Sequence, residues 1–168
     1  DATTGLLTTA GTQSMVRGSY TDMKFDTTGK FVFTLSSGDD FLSWNAVDTS
    51  TGALTEIGTV NGFNFPTNLV MHPTGKFLFA SNTDGNFLSA FSIDQSTAAL
   101  TPVNTATTGA RPGPMTIDPQ GKFLYVSNTY DATLSRFSID PVTGALTASS
   151  TITLSNGTSS PYGLAFKR

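Results

Sequence analysis

Apolar and polar residues alternate along this chain in short runs, and the runs recur. Met23 and Phe25 stand two apart, as do Leu69 and Met71, then Met115 and Ile117, which is the spacing of a strand with one buried face. Each pair is followed by a second run, and Phe77-Leu78-Phe79-Ala80 and Phe123-Leu124-Tyr125-Val126 are apolar on both faces. That pattern predicts a strand sandwiched between neighbouring sheets. A third run carries Phe41, Phe87 or Thr133 and ends at Asp48, Asp94 or Asp140. A Thr-Gly turn then leads into a fourth run, with Gly52 and Gly144 supplying backbone freedom and Ala98 departing from that pattern. Strands are therefore expected near residues 20–26, 30–36, 40–47 and 53–59, and again one and two periods later. No segment has helical periodicity.

The period is 46 residues, set by Gly29-Lys30-Phe31, Gly75-Lys76-Phe77 and Gly121-Lys122-Phe123. His72-Pro73-Thr74-Gly75 matches Asp118-Pro119-Gln120-Gly121, and Phe91-Ser92-Ile93-Asp94 matches Phe137-Ser138-Ile139-Asp140. Thr51-Gly52-Ala53-Leu54-Thr55 recurs as Thr97-Ala98-Ala99-Leu100-Thr101 and Thr143-Gly144-Ala145-Leu146-Thr147. Four antiparallel strands per unit of this length predict an all-β fold, a β-propeller built from four-stranded blades. The expected organisation is a single repeat array over 1–168: a fourth-strand fragment and link at 1–19, blades at 20–65, 66–111 and 112–160, and a first-strand fragment at 161–168.

Composition narrows the partners. Only 12% of the 168 residues are charged, and the net charge of -3 offers no basic field for a phosphate backbone, so nucleic acid is excluded as a partner. The longest apolar stretches run four to six residues, too short to span a bilayer. With no cysteine, disulfides and thiolate metal sites are ruled out. Richness in Thr, Ser, Gly and Asn, with few Lys and Glu, points to an exported bacterial protein of the periplasm, the cell surface or the medium, and Asp1-Ala2-Thr3-Thr4 reads as mature sequence.

The stretches from Asp118 to Asn128 and from Phe137 to Asp140, followed by Thr143-Gly144-Ala145-Leu146-Thr147, resemble the repeat of the lactonase-type seven-bladed propellers. That family includes 6-phosphogluconolactonase-like proteins and the related YVTN-repeat proteins, often exported or surface-associated. The resemblance covers nearly the whole chain and implies about twice as many blades as are present. What it implies about activity is lactone hydrolysis, although the shared motifs are blade scaffolding, common to catalytic and non-catalytic members.

In a propeller the first strand of each blade lines the channel, and loops from fourth to first and from second to third strands share one rim. That rim supplies the ligand-binding candidates Arg17, Tyr20, Asp22, Asn68, Arg111, Tyr130 and Asp131, with Asp39, Asp40, Asp84, Asn86 and Tyr162 beside them. Arginine near a carboxylate suits a phosphorylated sugar lactone, since guanidinium binds phosphate bidentately and a carboxylate can activate water. The same residue types are also ordinary on a solvated loop. His72, the only histidine, stands where Asp26 and Asp118 stand in the other repeats and reads as a turn residue, not a general base. No catalytic residue is assigned and no cofactor is implied. Asp84-Gly85-Asn86 and Gly38-Asp39-Asp40 fall short of a calcium loop, so no metal site is expected. Asn156-Gly157-Thr158 is a glycosylation triplet relevant only in a eukaryotic secretory host, and Trp44 is expected to pack between blades.

Blade faces need covering, and Leu6, Leu7, Leu164 and Phe166 sit at the two ends in ordinary blade patterns, which predicts self-association through terminal strands as a closed ring or a filament. Three functions follow: a non-enzymatic exported module for binding or self-assembly, a lactone hydrolase, or an excised or designed propeller fragment.

Overall fold

The computed structural model describes residues 18–153. Leu6, Leu7, Arg17, Tyr162, Leu164 and Phe166 lie outside the described residues, as do the two terminal strand fragments. Within them the chain forms twelve strands and no helix. The strands are β1 (Tyr20–Phe25), β2 (Phe31–Ser36), β3 (Phe41–Val47) and β4 (Leu54–Asn61), then β5 (Pro66–Met71), β6 (Phe77–Asn82), β7 (Phe87–Ile93) and β8 (Leu100–Thr107), then β9 (Pro112–Ile117), β10 (Phe123–Asn128), β11 (Thr133–Ile139) and β12 (Leu146–Thr153). Each set of four is an antiparallel meander, and equivalent strands start 46 residues apart throughout. β1 lies beside β5 and β5 beside β9, so the first strands are the adjacent, inner ones. This is the partial propeller that the hydrophobic pattern predicts.

Burial explains the pattern. Phe33, Leu35 and Leu42 of the first blade meet Leu69, Leu78, Ala80, Phe91 and Ile93 of the second in one core. Phe77, Phe79, Leu88 and Ala90 on the opposite face of the second blade meet Leu124, Val126, Phe137 and Ile139 of the third in another. β6 is accordingly buried at every position, with alternate residues keyed into different neighbours. Removing a ring such as Phe79, which is fully buried, is worth about 3–5 kcal/mol by transfer and cavity costs together. Trp44 packs at the edge of the first core, as expected between blades. Its cross-strand partner is Gly58, where a β-carbon would clash with the indole.

The fourth strand of each blade carries one extra residue, at Ile57, Val103 and Ser149, opposite the same point of the third strand. Such bulges increase local twist, and their recurrence gives each blade the same pitch. Polar clamps join the blades. The Asn104 amide donates to the Leu146 carbonyl at 2.9 Å and accepts from its N–H at 3.1 Å, while Asp22 accepts the Leu69 N–H at 2.8 Å. Thr21 and Thr83 donate to the carbonyls of Pro66 and Pro112, the first residues of the next inner strands.

The turns between third and fourth strands need a left-handed residue, supplied by Gly52, Gly144 and, unusually, Ala98 at φ +60°. An L-residue there costs about 1–2 kcal/mol. At Ala98 the methyl is buried in the first core, which offsets part of that cost. Each turn is also tied by its leading aspartate. The Ser50 hydroxyl, then the Ser50 and Thr51 N–H groups, hold the Asp48 carboxyl down to about 2 from 3.8, and Ser96 and Thr97 do the same to Asp94. Asp140 is lowered by the N–H groups of Thr143 and Val142.

A carboxyl depressed in the folded state contributes stability above its unfolded value and loses it on protonation. Acid unfolding is therefore expected to deepen as pH falls from 3.8 towards about 2, and the double variant Asp48→Asn, Asp94→Asn should be measurably less pH-dependent in that window. Thermal melts of both proteins between pH 2 and 6 measure this, and identical pH slopes would contradict it.

Candidate functional site

Between the inner strands β5 and β9, on the rim formed by the second-to-third and fourth-to-first loops, lies a cleft of about 450 Å³. It is lined by Thr67, Asn68, Thr83, Arg111, Thr129 and Tyr130, together with Gly113 and Pro114. The cleft thus brings together Asn68, Arg111 and Tyr130 from three separate sequence stretches. Thr67, Thr83 and Thr129 were not among the sequence candidates. The recurrence of Ser-Asn-Thr at 81–83 and 127–129 was the signal that could have found two of them.

Backbone geometry places Arg111 there. Its φ is +55°, in the left-handed region that a non-glycine residue enters at a cost of about 1–2 kcal/mol. Pro112 follows and restricts it further. Three hydrogen bonds hold the residue. Its N–H donates to Asn86 Oδ1 at 2.8 Å, and its carbonyl accepts from the Thr129 N–H at 3.0 Å and the Thr129 hydroxyl at 2.9 Å. Phe65, one period earlier, has φ +49°, donates its N–H to Asp40 Oδ1 at 2.8 Å and accepts from the Thr83 N–H at 3.1 Å. The two junctions share one construction and present different side chains.

The guanidinium of Arg111 lies 3.6 Å from Asp84 Oδ1, with both side chains about half exposed. A pair so placed is worth about 0–1 kcal/mol and leaves the cation available to an incoming anion. The Asn68 N–H donates to Ser81, and the Asn68 amide group makes no hydrogen bond to other described residues. Tyr130 is 79% exposed. Around them, Thr67 bonds Thr83 at 2.7 Å and Ser81 at 3.2 Å, so the hydroxyl wall is ordered.

The other candidates sit elsewhere. Asp131 accepts the Ala110 N–H and fixes the loop that leads to Arg111. Asp22 is committed to Lys24 and to the second blade's backbone, and Tyr20 packs edge-on against Phe41 at 5.9 Å. Asp39, Asp40 and Asn86 lie on the same rim, the latter two serving backbone N–H groups. No cluster of three His, Cys, Asp or Glu side chains suited to a metal occurs among the described residues.

His72 is on the opposite rim and buried. Its Nδ1 accepts the Thr74 N–H at 3.2 Å, so Nε2 carries the proton and donates to the Gly121 carbonyl of the third blade at 2.9 Å. The ring also packs edge-on against Phe77. It takes the N–H two residues on, as Asp26 takes that of Thr28 at 3.0 Å in the first blade, whereas Asp118 accepts the Phe123 N–H at 2.6 Å, and it adds a bond between blades.

The sequence pattern of the lactonase seven-bladed β-propeller family matches residues 58–159. The chain belongs to that family. Among solved structures it is similar to a candidate 6-phosphogluconolactonase of Bacteroides fragilis, with 27% identity and a TM-score of 0.76 over 80% of this chain and 39% of that one. It is also similar to the periplasmic gluconolactonase of Pseudomonas aeruginosa, with 23% identity and a TM-score of 0.77 over 87% of this chain and 42% of that one. The same fold appears in the hydrazine synthase of Kuenenia stuttgartiensis, at 19% identity and a TM-score of 0.63 over 86% of this chain and 40% of that one. The chain thus spans about two fifths of the length of these structures. A comparison with curated proteins returns no match.

His72→Ala is expected to destabilise the chain by about 1–3 kcal/mol, the cost of leaving the Gly121 carbonyl and the turn N–H without a partner, while leaving ligand binding at the other rim unchanged. Urea unfolding beside a binding titration separates the two effects. Lost affinity at unchanged stability would move the site to His72.

Proposed function

We propose that this chain forms a ligand-binding sector of an exported lactonase-type propeller, and that its ligand is a sugar lactone or sugar acid carrying an anionic group. The observation that carries this reading is the rim cleft, where a loosely paired guanidinium, an uncommitted carboxamide, a wall of threonine hydroxyls and an exposed phenol ring converge. Guanidinium is suited to carboxylate or phosphate, amide and hydroxyls to sugar hydroxyls, and the Tyr130 ring to the apolar face of a sugar. The lactonase names of the relatives support the same ligand class. Hydrolysis is proposed for the propeller as a whole. Asp84, the carboxylate beside Arg111, is our candidate for orienting water, because Asp131 is already engaged by the backbone. Export is supported by the likeness to a periplasmic protein, and no helix among the described residues is long and apolar enough to cross a membrane. We take the blades to run 20–65, 66–111 and 112–160.

Titration of the purified chain with 6-phosphogluconate and gluconate, alongside hydrolysis assays on glucono-δ-lactone and its 6-phosphate, tests this. Arg111→Ala should weaken phosphogluconate binding at least tenfold, since a charge-assisted bond contributes about 1.5–3 kcal/mol. Unchanged affinity in that variant would end the reading.

A second reading, assembly, is favoured by a separate observation. Met23 and Phe25 are 55% and 54% exposed, although their equivalents in the second and third blades lie in or against the inter-blade cores. A further blade or a second copy packed on this face would bury them. Light scattering should then give the chain a mass above that of a monomer, and Phe25→Asp should return it to monomer. A monodisperse, monomeric parent chain would exclude self-association.

A further inference from the structure

We infer that Asn86 is a positioning residue for the rim site, holding Arg111 in the backbone conformation that aims its side chain into the cleft; this rests on the reading of Arg111 as an anion contact. Arg111 combines φ +55° with a following proline, and neither feature is favourable for arginine. Something outside its own chemistry must hold it. Among the described residues, Asn86 Oδ1 is the side-chain acceptor on its N–H, at 2.8 Å. Asn86 is itself well placed to do this. Its φ of +58° is one that asparagine tolerates, its N–H donates to the Asn82 carbonyl at 2.9 Å, and its carbonyl accepts from the Thr108 N–H at 3.0 Å. The second-to-third loop is thereby bonded on both sides before it reaches Arg111 at the junction with the next blade.

The repeat supplies an internal comparison. At the preceding junction Asp40, also left-handed at φ +52°, holds Phe65 at the same 2.8 Å distance. An acceptor oxygen on a short side chain is thus common to both latches, while the displayed residue changes from Phe65 to Arg111. At the second latch the acceptor is a neutral amide and not a carboxylate. That choice keeps a negative charge off the backbone of the residue proposed to receive an anion. The carboxylates beside Arg111 are then Asp84, 3.6 Å from the guanidinium, and Asp131, which accepts the N–H of the preceding residue, Ala110.

The test has one readout that needs no ligand. In Asn86→Ala the Arg111 amide should exchange with deuterium about tenfold faster, the loss of one hydrogen bond, and in Asn86→Asp protection should return, because Asp40 already works this way. Retained protection in Asn86→Ala overturns the inference. Binding of 6-phosphogluconate then measures consequence. Asn86→Ala should weaken it severalfold in the parent and have no effect in an Arg111→Ala background, whereas general loosening of the blade would weaken both and would also overturn the inference. Asn86→Asp should bind more weakly than the parent despite its restored amide protection, and affinity equal to the parent would remove the charge argument. Should Arg111→Ala itself leave affinity unchanged, the ligand reading falls, and the amide exchange still decides whether Asn86 holds Arg111.

Discussion

A middle strand that must bury both faces is the constraint on which this molecule depends. In β6 alternate side chains belong to different cores, while β2 and β10 each give one alternate set to a core shared with the second blade, so these faces tolerate no charge and are not satisfied within one blade. A residue inserted into such a strand would exchange the two sets of side chains and misplace both cores at once. The constant period and the bulges at Ile57, Val103 and Ser149 follow from this, since each blade has to present the same twisted face to the next.

Hydrophobic contact by itself would let the blades slide, because it is not directional. Direction comes from polar clamps at defined radii: Asp22 and the Thr21 and Thr83 hydroxyls near the channel, Asn104 further out, and His72 at the lower rim. Several of these use side chains that look functional in a list of residues. His72 is the clearest case, for a lone histidine invites a catalytic role, and both of its ring nitrogens are occupied by backbone groups of the fold.

The two rims divide the labour. On one, tight turns tie carboxylates to the N–H groups that follow them, and little is left to meet a ligand. On the other, loops from adjacent blades are latched together, and the latched residue varies. Phe65 and Arg111 are both held in strained backbone by a loop side-chain oxygen on the N–H and a threonine N–H on the carbonyl, which is how a repeated scaffold displays different chemistry at successive positions.

Repeat length, strand number and strand order were legible in the sequence because each follows from local pattern: alternation marks one-sided strands, apolar runs mark two-sided ones, and Gly-Lys-Phe sets the register. The rim was legible too, and with it Asn68, Arg111 and Tyr130 as candidates. That these three share one cleft, while Tyr20 and Asp22 belong to the junction of the first two blades, was decided only by tertiary structure. Each blade is rotated relative to its neighbour, so residues 43 and 62 positions from one another along the chain, Asn68 to Arg111 and Asn68 to Tyr130, meet or separate according to packing angles that no local pattern encodes. The Asn86 latch was hidden for the same reason. An asparagine in a loop carries no sign of which N–H it will accept, and that partner lies 25 residues away, at the junction with the blade that follows.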